Sequence, residues 1–230
     1  MLPACEIKNC VISRHAEHWF VSFKINHEAI TTPKERERIG VDLGIKILAK
    51  LSTGEDAPAV GAFRQFKRKL RIAQRKMSKK FIKGAAKQSN NYKKAKSKVA
   101  RIHYKISCLR ADALHKLTSY LAKNHSRIII EDLNVKGMSK NHRLASAILD
   151  GGFYEFRRQL EYKVEWYGSE LVVANRFYPS SKMCSGCGHL KEGLRLSERI
   201  YKCEECRLEI DRDLNAAINL ERYEEKHPES

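Results

Sequence analysis

The sequence predicts an α/β protein with a long basic helical hairpin insertion and a four-cysteine zinc ribbon. Three observations carry that reading. Short apolar strand candidates alternate with amphipathic helices between residues 39 and 174, and strands alternating with helices imply a sheet with helices packed on it. The stretch from 57 to 111 holds 18 Lys and Arg and no acid. Cys184, Cys187, Cys203 and Cys206 form two C-x-x-C pairs separated by 15 residues, the spacing of a four-cysteine zinc site.

The elements follow in order along the chain. Residues 18–25 (HWFVSFKI) alternate apolar with polar, the period of a half-buried strand. Residues 31–38 are polar, contain Pro33 and read as a linker. Residues 39–43 (IGVDL) and 45–51 (IKILAKL) are two short strands, broken at Gly44 and closed by Thr53-Gly54. A helix is predicted over 62–81, with Phe63, Phe66, Leu70 and Ala73 on one face, then a loop over 84–91. A longer helix over 92–123 carries Val99, Ile102, Ile106, Leu109 and Ala113 at steps of 3, 4, 3 and 4, a coiled-coil-like seam. Two such helices joined by a short loop make an antiparallel hairpin. Residues 127–131 (RIIIE) are a buried strand, 152–167 an amphipathic helix stopped by Gly168, and 171–174 (LVVA) a further strand. Residues 197–202 (SERIYK) read as the strand leading to the second cysteine pair. The helix over 211–223 has Asp in its first turn, where the dipole favours acids. The tail after Tyr223 is expected to fray.

With 230 residues and 42% hydrophobic content, the chain can bury a core in one or two domains. The net charge of +18 comes from one place: outside 57–111, 27 basic residues balance 27 acidic ones. Such a segment neutralises phosphates and releases counterions. The aromatics Phe63, Phe66, Phe81, Tyr92 and Tyr104 are interleaved with the charge and could stack on bases, although their spacing suits helix packing equally. The bland alternative is a solvated helical face, but exposed helices usually mix signs. The longest aliphatic run is Ile128-Ile129-Ile130, far short of the roughly 20 residues of a membrane span. Glu6 and Lys8 interrupt any secretory apolar region. A cytoplasmic protein with reduced thiols is therefore expected.

The cysteine spacing has a direct physical meaning. Each C-x-x-C turn aims two sulfurs at one point, and two turns complete a tetrahedron around Zn²⁺. All four positions are used, so the zinc is expected to be structural. Free thiols or disulfides are the alternative, and His189 is surplus to the four sulfurs. Four acids stand out beside them: Asp42 within GVDLG, Glu131 after the three isoleucines, and Asp211 and Asp213 at the start of the last helix. A carboxylate at the end of a buried strand is costly unless paired or metal-bound. Three from separate elements could hold two Mg²⁺ about 3.5–4 Å apart for phosphodiester hydrolysis. Spacing leaves the bland readings open: Asp42 as a turn residue, Glu131 or Asp132 as a loop cap, Asp211 as an N-cap.

These motifs together resemble the TnpB (OrfB) proteins of bacterial insertion sequences, relatives of the type V CRISPR effector nucleases. GVDLG at 40–44 is similar to the family's first RuvC motif and IIIEDLNVKGM at 128–138 to its second. FYPSSKMCSGCG at 177–188, YKCEEC at 201–206 and DRDLNAAINL at 211–220 are similar to its zinc ribbon and third RuvC motif, and 141–166 also has family character. The resemblance implies an RNase H-like (RuvC) fold. It implies Asp42, Glu131 and Asp213 as the catalytic, Mg²⁺-holding acids and Cys184, Cys187, Cys203 and Cys206 as zinc ligands, leaving Asp211 as a cap. It implies DNA and a guide RNA from the protein's own locus as partners. The implied domains are 1–32, a remnant of a β-barrel wedge and linker; 33–180, the nuclease core with the helical hairpin 62–125; 181–210, the zinc ribbon; and 211–230, the last RuvC helix and tail. Family members carry more chain ahead of the core, so a truncated transposon-associated, RNA-guided, metal-dependent DNA endonuclease is the expectation. The alternative is a nuclease-silent DNA- or RNA-binding protein or a decayed transposase-accessory fragment.

Overall fold

The computed structural model describes residues 7–26, 28–142, 144–195 and 198–224. The chain divides into two compact units, Met1–Glu28 with Gly61–Asp112, and Ala29–Val60 with Ala113–Ser230.

In the first unit, β1 (Ile7–His15) and β2 (His18–Ile25) form an antiparallel hairpin. The sequence signalled β2 alone; β1 carries Lys8, Asn9 and Arg14 among its apolar residues and has no clean period of two. Helix α1 (Ala62–Ser78) is built from straight-chain residues that lose little freedom in a helix, and it ends three residues before the expected Phe81. Helix α2 (Asn90–Asn124) runs 35 residues, about 50 Å. Lys105 of α2 lies over the Phe66 ring at 5.5 Å, and Phe81 meets Tyr92 at 5.7 Å. As one partner's number rises the other's falls, so the helices run antiparallel. Leu70, Ala73, Val99, Ile102 and Ile106 are buried, whereas Phe63 and Phe66 are only half-buried. Tyr104 stacks on His18 at 4.5 Å, and Glu17 pairs with Arg101 at 3.3 Å, which ties the β1–β2 turn to α2.

The expected seam does not continue to Ala113. The buried positions of α2 after Ile106 are Leu114, Thr118, Leu121 and Ala122, and Ala113 is half-buried. A straight helix of 3.6 residues per turn drifts from a 3.5-residue repeat, and this end of α2 belongs to the second unit with its own core.

That unit is built on a five-stranded sheet of β3 (Arg36–Leu43), β4 (Ile47–Leu51), β5 (Asp56–Pro58), β6 (His125–Glu131) and β7 (Glu170–Ala174). The spatial order is β5-β4-β3-β6-β7. Strands β3, β4 and β5 pair antiparallel in sequence, while β3–β6 and β6–β7 are parallel. Residues 36–38, expected in a linker, are strand, because Arg36 and Arg38 pair in register with His125 and Arg127. Their charges are met by distant partners: Arg36 pairs with Glu221 at 3.1 Å and Arg38 donates to the Tyr223 carbonyl at 2.6 Å. No local pattern reveals that.

Two layers of helix cover the sheet. On one face Ile39, Val41, Ile128 and Ile130 pack with Leu114 and Leu121 of α2. The same face receives Ile148 of α4 (Ala145–Gly151) and Phe156 and Leu160 of α5 (Phe153–Tyr167). The short α3 (Val135–Met138) follows β6 and is capped by Asn134. Lys34 gathers the C-terminal ends of α2 and α5, donating to the carbonyls of Ala122 at 2.8 Å and Tyr167 at 2.7 Å. An ammonium there complements both helix dipoles. A two-stranded ribbon of β8 (Ile200–Lys202) and β9 (Glu209–Asp211) leads into α6 (Arg212–Glu221). Residues 196 and 197 and the tail from 225 onward, where a strand start and fraying were expected, lie outside the described residues. Among the described residues no helix is long and apolar enough to cross a membrane.

Helix α6 lies on the opposite face, against Ile129, Val172 and Ala174 through Leu220. Its approach is limited by one residue. A Cβ on Gly40 would meet the Ala217 carbonyl oxygen at 1.9 Å and the Glu221 nitrogen at 2.4 Å. Both are backbone atoms and cannot rotate away. Gly40→Ala is therefore expected to destabilise the protein by about 1–3 kcal/mol or more in chemical denaturation. Gly193→Ala, where no atom lies within 4 Å of the new methyl, is expected to change stability little. Equal stability of the two variants would contradict the close approach.

Candidate functional site

Strand parity decides which side chains meet beneath α6. Gly40 faces α6, so Asp42, two residues on, points to the same side. Ile129 packs with Leu220 of α6, so Glu131 shares that side too. Strands β3 and β6 are parallel neighbours with Val41 opposite Ile130. Asp42 and Glu131 therefore leave the same end of adjacent strands, one residue beyond that pair. Asp213 comes from the first turn of α6. The expected trio is thus brought to one side of the sheet.

The electrostatics agree with that convergence. Burial first, and then the negative charges of Glu131 and Asp213, hold the Asp42 carboxyl well above the usual range, with Arg212 offsetting part of the effect. Asp213 is met by Arg212 at 2.9 Å and Arg199 at 3.6 Å. Glu131 accepts a short hydrogen bond from the Ser180 hydroxyl. Asp211 behaves as the expected cap: its side chain accepts from the Leu214 N–H at 2.9 Å. The two aspartates of DRD, indistinguishable by type, are separated by this geometry into a cap and a member of the acidic cluster.

The four cysteines also converge. Their sulfurs all lie within 4.8 Å of one another, with Cys184–Cys206 at 3.5 Å and Cys187–Cys203 at 3.6 Å. A tetrahedron with bonds of about 2.3 Å has edges of about 3.8 Å, so the donor set fits one metal ion. The thiols disturb one another as a shared site would. Backbone N–H donation, first from Cys206, lowers the Cys203 thiol to about 6. The Leu208 N–H acts to lower Cys206, but burial and the other three thiols push it up to about 12. His189 stays outside the cluster, with its ring 4.0 Å from Glu205 and its carbonyl accepting from the Cys184 N–H.

Residues that the sequence reading passed over join the two sites. Asn215 and Asn219 are buried on α6. Asn215 accepts from the Ser185 N–H at 2.9 Å and donates to the Met183 carbonyl at 2.7 Å. Asn219 donates to the carbonyls of Ser180 at 2.7 Å and Met183 at 2.6 Å. The available signal was two amides four residues apart on a face otherwise made of Ala and Leu. Ser180 had no such signal, since its partner Glu131 is 49 residues away.

Comparison with known proteins follows the same lines. The OrfB family of IS605, described as "Probable transposase", matches residues 21–142, and the "Cas12f1-like, TNB domain" matches 153–220. A Streptomyces pristinaespiralis protein named "Putative RNA-guided DNA endonuclease" is 43% identical over 205 residues, which is 89% of this chain and 50% of that protein. Escherichia coli (strain K12) InsQ, named in the same words, is 36% identical over 231 residues, 93% of this chain and 56% of its own. The chain spans about half the length of these curated relatives. Among solved structures, the Cas12f1 chain of a Cas12f1–sgRNA–target DNA complex superposes with a TM-score of 0.56 at 19% identity, over 91% of this chain and 55% of that one.

Two outcomes are expected from this geometry. Elemental analysis of chain purified without chelator should find one tightly bound metal ion per molecule, lost with a fall in Tm in Cys203→Ser, since ligation is coupled to folding. Asn219→Leu strips the buried Ser180 carbonyl of this donor and leaves the Met183 carbonyl with Asn215 alone, and should cost about 1–3 kcal/mol in denaturant unfolding. Wild-type stability in that variant would refute the tie between α6 and the 180–183 segment.

Proposed function

Because the chain belongs to the OrfB (TnpB) family of IS605-type elements, we propose that it carries the catalytic core of an RNA-guided, metal-dependent DNA endonuclease. One observation carries the reading: Asp42, Glu131 and Asp213 share one side of the sheet, and the charges of the other two act on the carboxyl of Asp42. The strand order, three antiparallel strands followed by two parallel ones on the far side of β3, is read as an RNase H-like (RuvC) core. The hairpin of α1 and α2, between β5 and β6, is then an insertion. The proposed division is a wedge-type strand pair and linker at 1–32, the core at 33–180, the ribbon at 181–210 and the last core helix and tail from 211.

The three carboxylates are hard oxygen donors suited to Mg²⁺, and the half-buried, crowded acid Asp42 is the kind of group that a cation relieves. Bound ions would activate water and neutralise charge on the scissile phosphate. Asp42 is fixed by β3, Glu131 is oriented by the Ser180 hydroxyl, and Asp213 is held at the start of α6 by two arginines. The four thiols, with no open position, are assigned to structural Zn²⁺. DNA and a guide RNA are the proposed partners, taken from the names of the relatives. The basic segment 57–111 supplies sequence-independent phosphate contacts, while pairing with the RNA reads the target.

The test uses the purified chain with RNA from its own locus and a matched DNA duplex in Mg²⁺. Glu131→Gln should reduce cleavage to background while duplex binding stays within about twofold, because the residue holds metal rather than phosphate. Asp213→Ala should do the same, whereas Asp211→Ala should keep cleavage and lose about 1 kcal/mol of stability. Full cleavage by Glu131→Gln, or equal loss from both aspartate variants, would overturn the assignment. Binding without metal-dependent cleavage by the wild type would favour a nuclease-silent nucleic-acid-binding protein.

A further inference from the structure

Asp132 follows Glu131 in sequence but does not share its surroundings. Its Oδ1 accepts from Arg157 Nη1 of α5 at 3.2 Å, and its Oδ2 accepts from Arg176 Nη2, just past β7, at 2.6 Å. The carboxylate is the more buried partner, 28% exposed, against 42% for Arg157 and 52% for Arg176. One acid therefore holds two guanidinium heads that reach towards solvent. Both line a cleft of about 480 Å³ whose lining also includes Glu131. Arg176 also borders a second hollow of about 120 Å³, shared with Glu131 and Asp132. The larger cleft has an apolar floor that includes Leu43, Ile130 and Phe153, and its lining includes Tyr154, which is 72% exposed. Lys136 and Arg158 bring its basic residues to four, against Glu131 and Glu161. Glu161 takes Arg157 Nε at 3.0 Å, and Arg158 is paired with Glu155 at 2.7 Å.

We propose that Asp132 is a positioning residue, setting Arg157 and Arg176 as a clamp on a backbone phosphate of the DNA strand that enters the acidic site, with Tyr154 as the stacking platform for an adjacent base. The inference rests on the nuclease reading for the identity of the strand. Its chemistry comes from the cleft. A guanidinium carries five N–H donors in a planar fork that matches phosphate oxygens. Fixing two forks on one carboxylate removes the cost of ordering them when the strand arrives. An exposed aromatic ring beside such a clamp accepts any base by stacking. A phosphate held there would lie beside Glu131, so the clamp would set the register of the strand against the acids rather than read its sequence.

The experiment has two arms, both on the full chain. In the first, a short single-stranded DNA carrying 5-bromodeoxyuridine is irradiated with the protein in Mg²⁺-free buffer, and the adducts are mapped by mass spectrometry. An adduct at Tyr154 is expected, falling about fivefold or more in Arg176→Ala and in Asp132→Asn, since hydrogen bonds to charged groups are worth roughly that or more. Lys69→Ala, on α1, should lower total binding and leave the Tyr154 share of adducts unchanged. In the second arm, cleavage kinetics of Asp132→Asn should show KM raised about tenfold with kcat within about threefold, and Arg176→Lys should not restore KM, because it keeps the charge and loses the fork. Thermal melts of each variant check folding. No adduct at Tyr154 in the wild type, or an adduct undiminished in Arg176→Ala, overturns the clamp even where cleavage is intact. A clamp-dependent adduct in a chain that cuts nothing supports the clamp and sinks the nuclease reading instead.

Discussion

The contact between the backbone of α6 and Gly40 is the constraint on which the rest of the second unit depends. A helix normally rests on a sheet through its side chains. Here a missing methyl lets the carbonyl of Ala217 come within 1.9 Å of where a Cβ would be. Asp213, in the first turn of that helix, lies near enough for its charge to act on Asp42, which leaves the same strand two residues after Gly40. The small residues Ala216 and Ala217 serve the same end from the helix side, and both are buried. Any bulk at this seam would lift the helix and separate carboxylates that belong to different elements.

Bringing three acids together works against folding, because like charges repel and burial disfavours the charged form. The chain limits that cost locally. Arg199 and Arg212 lie against Asp213, the Ser180 hydroxyl against Glu131, and Asp42 is left to hold its proton more tightly. The large positive excess is carried elsewhere, on a segment with no acid at all. The charge that sets the protein's net sign and the charge that offsets the acidic cluster sit on different residues.

Much of this was legible in the sequence, for physical reasons. Asp42 and Glu131 stand at the ends of apolar runs, where a charge is anomalous, and the cysteine spacing leaves few alternatives to a metal site. Helices α1 and α2 announce themselves by period and by the absence of breakers. What was hidden depends on partners far along the chain. Residues 36–38 look like a linker until β6 is beside them. Strand β5 has three residues, too few to show a period. The seam of α2 changes at Leu114 because a different core begins there. The role of Ser180 requires knowing that residue 180 returns to residue 131.

The segment from Ser180 to Ser185 is shared property. At one end its hydroxyl touches Glu131; at the other it enters the first cysteine turn; between them its carbonyls are gripped by Asn215 and Asn219. A strip of backbone held at both ends makes the two sites thermodynamic neighbours. An ion that tightened the cysteine turn would narrow the range of positions open to Ser180 and so to Glu131. Linkage is reciprocal, so a group that settled Glu131 through this strip would in turn favour an ion at the thiols. The first cysteine turn and Glu131 are thus joined by one short strip of backbone that α6 holds in place.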